Sequence, residues 1–98
     1  MKFYIKIHSR GKNTCIGVCD EDCLGKELRN GKMKYTVSKQ FFQGELVSIE
    51  KALQVLGTCK NFNIVGKNIC NAMVKHEFIH KDGIKELEGV PIAVKFVF

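Results

Sequence analysis

The sequence predicts an α+β fold: a two-layer sandwich in which a largely antiparallel sheet carries two main helices packed on one face. Three observations predict it. Residues 2–8 (KFYIKIH) alternate apolar and polar side chains at the period of a half-buried strand. In the middle, two stretches repeat apolar residues at helical spacing, one through Ile49, Ala52, Leu53 and Leu56, the other through Ile69, Cys70, Met73 and Val74. Strands come first, helices in the middle and strands last, with no regular strand–helix alternation. At 98 residues the chain is a single domain, 1–98. That length supports one continuous core and not two.

Taken in order, Phe3, Ile5 and Ile7 of the first strand face the core, and Lys2, Tyr4, Lys6 and His8 face away. Residues 9–13 form a turn, a loop of roughly five residues and so longer than the tightest hairpin type. Residues 14–19 return as a second strand with Ile16 and Val18 inward. Residues 20–25 (DEDCLG) read as a capped helical turn ended by glycine. A polar connection, 26–32, leads through Asn30 and Gly31 into a third strand at 33–37. Residues 38–44 form a loop whose Phe41 and Phe42 plug the core. Ser48 caps the first main helix, Glu50 complements its positive end, and Gly57 stops it. A short apolar strand (Phe62, Ile64, Val65), Gly66 and the second helix follow. After the turn at residues 80–83 come a short strand near 84–87, a turn at Glu88 and Gly89, and a last strand over 90–98. There Ile92, Val94, Phe96 and Phe98 share one face. The sequence holds no repeat, low-complexity segment or linker.

A hydrophobic content of 45% and a charged content of 27% exclude a disordered chain. No apolar run approaches the roughly 20 residues of a membrane span, and the alternating N-terminus is not that of a signal peptide. The expectation is a cytoplasmic protein with no membrane partner. The five cysteines, Cys15, Cys19, Cys23, Cys59 and Cys70, are an odd number in a domain that folds without staples. They read as reduced thiols, mostly buried as small hydrophobes. The net charge of +6 makes this a basic protein and raises the odds of an anionic partner: RNA, DNA or a phosphorylated ligand. Lysine-rich surfaces also serve solubility and ion-pair networks.

Four phrases carry a resemblance: VCDEDCLGK at 18–26, FFQGELV at 41–47, NIVG at 63–66 and GVP at 89–91. In this order, and spread over nearly the whole chain, they resemble a small archaeal family known as the domain of unknown function 424 family. The resemblance implies a compact two-layer α/β fold. The family has no established activity, and the resemblance implies a link with translation or RNA by association alone. Two positions depart from the family pattern. Ile92 and Ala93 stand where relatives tend to carry His-Ala, and Lys67 stands where they tend to carry Glu.

Several constellations have chemical meaning. His76-Glu77-Phe78-Ile79-His80 fits the H-E-x-x-H zinc-peptidase string, with Gly83 and Glu86 where an extended version has a glycine and a third ligand. That chemistry needs both histidines on one helical face. The apolar stripe ends at Val74, however, and in the resembled family a glycine tends to stand at the position of Glu77, as at a helix C-cap. The string is therefore expected to be a coincidence, and no metal or cofactor is expected. Cys15, Cys19 and Cys23 recur every four residues, a spacing that misses both zinc knuckles and the usual iron–sulfur runs. No signature joins a cysteine to a histidine as a nucleophile pair. Gly66, Lys67 and Asn68, at a strand-to-helix junction, offer free N–H groups and a lysine as an anion or phosphate seat. An ordinary tight helix start is the alternative, and the Walker spacing is absent. Lys2, Tyr4 and Lys6 on the outward face of the first strand, Arg10 and Lys12 in its turn, and Lys26, Arg29, Lys32 and Lys34 beyond form a diffuse basic surface with an aromatic between lysines. An edge-protecting lysine face would look the same.

The leading reading is a non-enzymatic RNA- or ribonucleoprotein-binding domain working near translation. It would contact nucleic acid through Lys2, Tyr4, Lys6, Arg10, Lys12, Arg29 and Lys34, with Lys67 as an addition. The alternatives are a small enzyme or metal-binding protein using His76, Glu77 and His80 or the Cys15/Cys19/Cys23 cluster, and a protein-interaction adaptor using the Phe41-Phe42 loop.

Overall fold

Phe3–Arg10 (β1), with apolar and polar residues in alternation, and Asn13–Asp20 (β2) form an antiparallel hairpin in the computed structural model, which describes residues 1–97. The further strands are Glu27–Asn30 (β3), Met33–Thr36 (β4), Glu45–Val47 (β5), Phe62–Val65 (β6), Lys85–Leu87 (β7) and Val90–Lys95 (β8). The helices are Lys39–Phe42 (α1), Ile49–Leu56 (α2) and Lys67–Lys75 (α3), and two 3-10 turns lie at Glu21–Cys23 and Lys81–Gly83. Among the described residues the fold is mixed α+β, with a six-stranded sheet ordered β5-β1-β2-β6-β8-β7, a separate two-stranded sheet β3-β4, and three helices. Within the larger sheet only β2 and β6 pair in parallel; the other four pairings are antiparallel.

Strand alternation sorts the side chains onto two faces. Phe3, Ile5, Ile16, Val18, Phe62, Ile64 and Ala93 meet Ala52 and Leu56 of α2 and Ile69, Cys70 and Met73 of α3. Ser48 Oγ accepts the Lys51 N–H at 3.2 Å, so α2 starts and stops at the residues its sequence marks. The opposite face carries Cys19, Val65 and Ile92, which meet Leu28, Val37 and Phe42 from the β3–β4 hairpin, the segment after it and α1. Over Gly17 this packing is so close that a methyl group there would lie 2.7 Å from the Phe41 ring.

The local expectations fail where buried surface is small. The first hairpin closes through two residues, Gly11 and Lys12, because Arg10 pairs with Asn13. Gly11 has φ +61°, at the position where a type II′ turn takes glycine. The polar connection at 26–32 is itself a strand and turn: Asn30 pairs with Met33, and Gly31 repeats the same φ of +61°. Only Leu28 of β3 is buried, so its strand character left no alternation to read. The 38–44 loop contains α1, capped by Ser38 Oγ on the Phe41 N–H at 3.1 Å. Phe42 does plug the core, at 1% exposure, while Phe41 is half-buried. β8 stops at Lys95, short of the expected strand end, and Phe98 lies outside the described residues.

Candidate nucleic-acid interface

The second face of the six-stranded sheet is only partly covered. Register places Tyr4, Cys19, Val65 and Ile92 in one row across four strands, under the hairpin and α1. Two residues nearer the β1–β2 turn lies the row Lys6, Gly17, Asn63 and Val94. Beyond it His8 stands opposite Cys15, with Asn61 and Phe96 continuing the row where β6 and β8 reach their ends. The cover thins across these two rows, and Val94 and Phe96, expected to share a face with Ile92, are 58% and 64% exposed where Ile92 is buried. These two rows lie beyond the cover of the β3–β4 hairpin, whose strands are four residues each.

Three recesses follow the open rows. One of about 580 Å³ is lined by His8, Arg10, Asn13, Cys15, Asn61 and Phe96, among others. A second, of about 330 Å³, lies between the hairpin and the β7–β8 pair and is lined by Met33, Tyr35, Lys85, Ile92 and Val94. A third, of about 250 Å³, lies between Tyr35, Phe41 and Asn63 and shares Tyr35 with the second. No acidic residue lines any of the three, whereas Arg10 and Lys85 do.

The polar groups in these rows are held in place. The His8 ring stacks on Phe41 with centroids 4.4 Å apart and planes at 16°. Since a carbonyl only accepts, Nε2 carries a proton and donates it to the Phe41 carbonyl at 2.8 Å, which leaves Nδ1 outside this bond. Asn61 Oδ1 accepts the Val97 N–H at 2.6 Å. Asn63 Nδ2 approaches Cys15 Sγ at 4.0 Å. Burial, and then the neighbouring Cys59, push the Cys15 thiol up, which disfavours its thiolate. Asn61 and Asn63 escaped the sequence reading of this site. The signal for them was present, because they alternate with Phe62 and Ile64 at the period of a strand whose second face is polar.

The sequence-derived basic set does not form one surface. Lys2, just before β1, and Arg10, its last residue, are eight residues apart, so at about 3.3 Å per residue they stand about 26 Å apart at opposite ends of the strand. Tyr4 packs against the second core cluster instead of standing out for stacking. Lys6 Nζ donates to the Gln40 carbonyl of α1 at 2.7 Å. Arg29 and Lys34 pair with each other across the small hairpin, and both bind Glu27 Oε1, at 2.8 and 3.0 Å. These bonds, that from Lys34 foremost, lower the Glu27 carboxyl below its ordinary value. Arg10 and Lys12 alone of the set stand at the open end, and neither side chain has a partner among the described residues.

Gly66, Lys67 and Asn68 do form the start of α3, with Gly66 at φ +126°. The anion there is the chain's own. The Asp20 carboxylate, on a side chain 4% exposed, accepts the Asn68 and Ile69 N–H groups at 2.9 Å each. Burial raises its pKa, and the two N–H bonds hold it down in part. Asp20, Asp22 and Cys23 bring their ligand atoms within 4.8 Å of one another beside a recess of about 330 Å³ that Lys26, Lys67 and Glu88 also line. A cation there would compete with the helix for Asp20. Three of the four phrases that carry the family resemblance meet at this point, joined by the Gly66 N–H to Pro91 carbonyl bond at 2.9 Å.

The three evenly spaced cysteines separate by row. Cys19 and Cys23 lie in the second core cluster, and Cys15 lies about 13 Å along β2 from Cys19 at strand rise. Burial pushes the Cys19 thiol to about 12 and the Cys23 thiol to about 11. All five cysteines are free. The histidine string divides too. α3 ends at Lys75, and His76 is its cap. The Phe78 and Glu77 N–H groups bond back to the Met73 and Val74 carbonyls, at 2.9 and 3.0 Å, in a Schellman arrangement with Glu77 at φ +61°. His80 lies past this turn and accepts the Asp82 N–H at 3.2 Å. A glycine would occupy the Glu77 conformation without strain. Glu77→Gly is therefore expected to raise stability by about 1 kcal/mol in urea unfolding. A loss instead would mean that the Glu77 side chain has a role.

The family model described as "Protein of unknown function (DUF424)" matches residues 7–98. The crystal structure of an uncharacterised conserved protein from Methanopyrus kandleri is similar, with a TM-score of 0.80 and 24% sequence identity over 100% of this chain and 93% of that one. At that identity the likeness speaks for the fold. No curated protein matches the chain. Among the described residues no helix is long and apolar enough to cross a membrane.

Proposed function

The chain belongs to the DUF424 family of proteins of unknown function, and from its own residues we propose that it is a non-enzymatic RNA-binding domain, cytoplasmic and acting close to translation. The observation that carries this reading is the open half of the second sheet face, where three recesses contain Arg10 and Lys85 and no carboxylate. Phosphate groups call for cations without competing acids, and bases call for flat side chains flanked by fixed amides. Phe96, Asn61, Asn63 and His8 supply the second requirement. The acidic side chains Asp20, Asp22 and Glu88 gather in a recess at the opposite end of the sheet. In this reading α2 and α3 with the large sheet make the two-layer body, and the small hairpin with α1 is a partial cover over the other face. The translation link rests on the resemblance, and the cytoplasmic placement on the five free thiols.

Gel-shift titration of a short RNA over a range of salt tests this. Arg10→Ala is expected to weaken binding several-fold for every sequence and to flatten the salt slope by about 0.7–0.9, one released counterion. Lys51→Ala and Lys75→Ala, on the two helices across the sheet, are expected to leave affinity unchanged. Equal losses from these controls would make the +6 charge a nonspecific attractor and the site assigned here wrong.

A further inference from the structure

We infer that the groove takes single-stranded RNA over at least two consecutive nucleotides, with one base in the recess beside Phe96 and the next in the recess under Tyr35. This rests on the RNA-binding reading above and adds the form and register of the ligand. Arg10 lies at one end of the track and Lys85 at the other, each beside one recess, so a backbone threaded along the groove meets a cation at each base position.

The shape selects single strands. An A-form duplex keeps its bases stacked inside and offers phosphates and 2′-hydroxyls on a broad convex surface. The open rows here are concave, bounded by Phe41 and its stacked His8 on one side and by Met33 and Tyr35 of the hairpin on the other. Only bases freed from a stack enter such recesses. The spacing is set by β8. Val94 borders the Tyr35 recess and Phe96, one residue past the end of β8, the other; at strand rise the two stand about 6.6 Å apart. That is one step along an extended polynucleotide.

The recesses differ in what they offer a base. Beside Phe96, at 64% exposure, lie His8 Nδ1 and the Asn61 amide, whose oxygen is already committed to the Val97 N–H. Under the hairpin, Tyr35 is half-buried, with burial raising its pKa, so its hydroxyl stays a donor. The Asn63 carbonyl oxygen, between the two, has no partner among the described residues and is left to accept. The charge pattern favours nucleic acid over an apolar peptide, because no acidic side chain lines the track and its rim is cationic.

Fluorescence anisotropy on the full chain separates the possibilities. The probes are an eight-nucleotide single-stranded RNA, the same sequence in a duplex, and a polyglutamate peptide of equal charge. The single strand is expected to bind at least tenfold more tightly than the other two. Phe96→Ala and Tyr35→Leu, the latter retaining apolar bulk in the hairpin, are each expected to weaken it about tenfold and leave duplex binding unmoved. Replacing one base by an abasic site should cost wild type affinity and cost the matching variant nothing further. Equal affinity for single strand and duplex, with both variants silent while Arg10→Ala still acts, overturns this inference and spares the RNA reading. Binding to no RNA at low salt sinks both. Polyglutamate binding as tight as RNA, lost in Tyr35→Leu, makes the groove a peptide site and overturns it as well.

Discussion

Gly66→Ala is expected to destabilise the protein by about 4 kcal/mol and to lower Tm by about 20 °C, since each kcal/mol moves a domain of this size by about 4–8 °C. Two costs combine. At φ +126° and ψ 152° the residue occupies a region essentially confined to glycine, which costs other residues about 1–3 kcal/mol. The added methyl would also fall on the Asp20 carboxylate, displacing an acceptor that serves two N–H groups at about 1–3 kcal/mol for a buried donor left unsatisfied. Gly83→Ala is the control, because nothing stands within 4 Å of a methyl there. Differential scanning calorimetry reads both. A Gly66→Ala protein melting within a few degrees of wild type would show that the β6–α3 junction relaxes and that Asp20 is not clamped against it.

The second large effect is at Asp20 itself. Asp20→Ala is expected to cost about 3 kcal/mol at neutral pH, because it orphans the Asn68 and Ile69 N–H groups at the start of α3. Asp20→Asn, which keeps an acceptor, is expected to recover part of that loss. Burial raises the Asp20 pKa in the folded state, so the folded chain holds this proton more tightly than the unfolded one. Its titration therefore contributes stability that is fully present below the ordinary carboxylate pKa and is lost as pH rises through the raised folded value. The advantage of wild type over Asp20→Asn should thus shrink as pH rises across that window and stay constant above it. Urea titrations at a series of pH values measure this, and an advantage that grew with pH would mean that the two N–H bonds outweigh burial.

How far the sequence revealed the fold depended on buried apolar surface. Ser48, Ile49, Ala52, Leu56 and Gly57 mark α2 from cap to stop because each acts within its own turn. β3 buries only Leu28, and β5, three residues long, only Val47, so neither strand carries an alternation to read. The candidate site was legible only in pieces. Arg10 and Lys12 were visible as cations, and Gly66 as a helix start. The Asp20 partner lies 48 residues from Asn68, and no local pattern announces a bond of that span. Val94 and Phe96 carried the alternation of a buried strand. Their exposure depends on the reach of the β3–β4 hairpin, more than fifty residues earlier in the chain, a fact of tertiary cover that strand periodicity does not encode. Tyr4 shows the reverse case: an outward-facing position, covered by a segment that the sequence displayed as loop.

The lone parallel pairing of β2 with β6 carries a kinetic consequence. β5-β1-β2 and β6-β8-β7 are each built from antiparallel pairs, and the sheet is continuous only through the four residue pairs between Ile16 and Cys19 on one side and Phe62 and Val65 on the other. Each of those pairs closes a loop of 46 residues, whereas the β1–β2 hairpin closes through two. Loop-closure entropy makes the short-range pairings the early ones and this seam a late one in folding. The open row crosses it, with His8 and Cys15 on one bank and Asn61 and Phe96 on the other. A molecule held across that row would bind only the closed seam, so it would slow the parting of the two halves and act as a brake on unfolding.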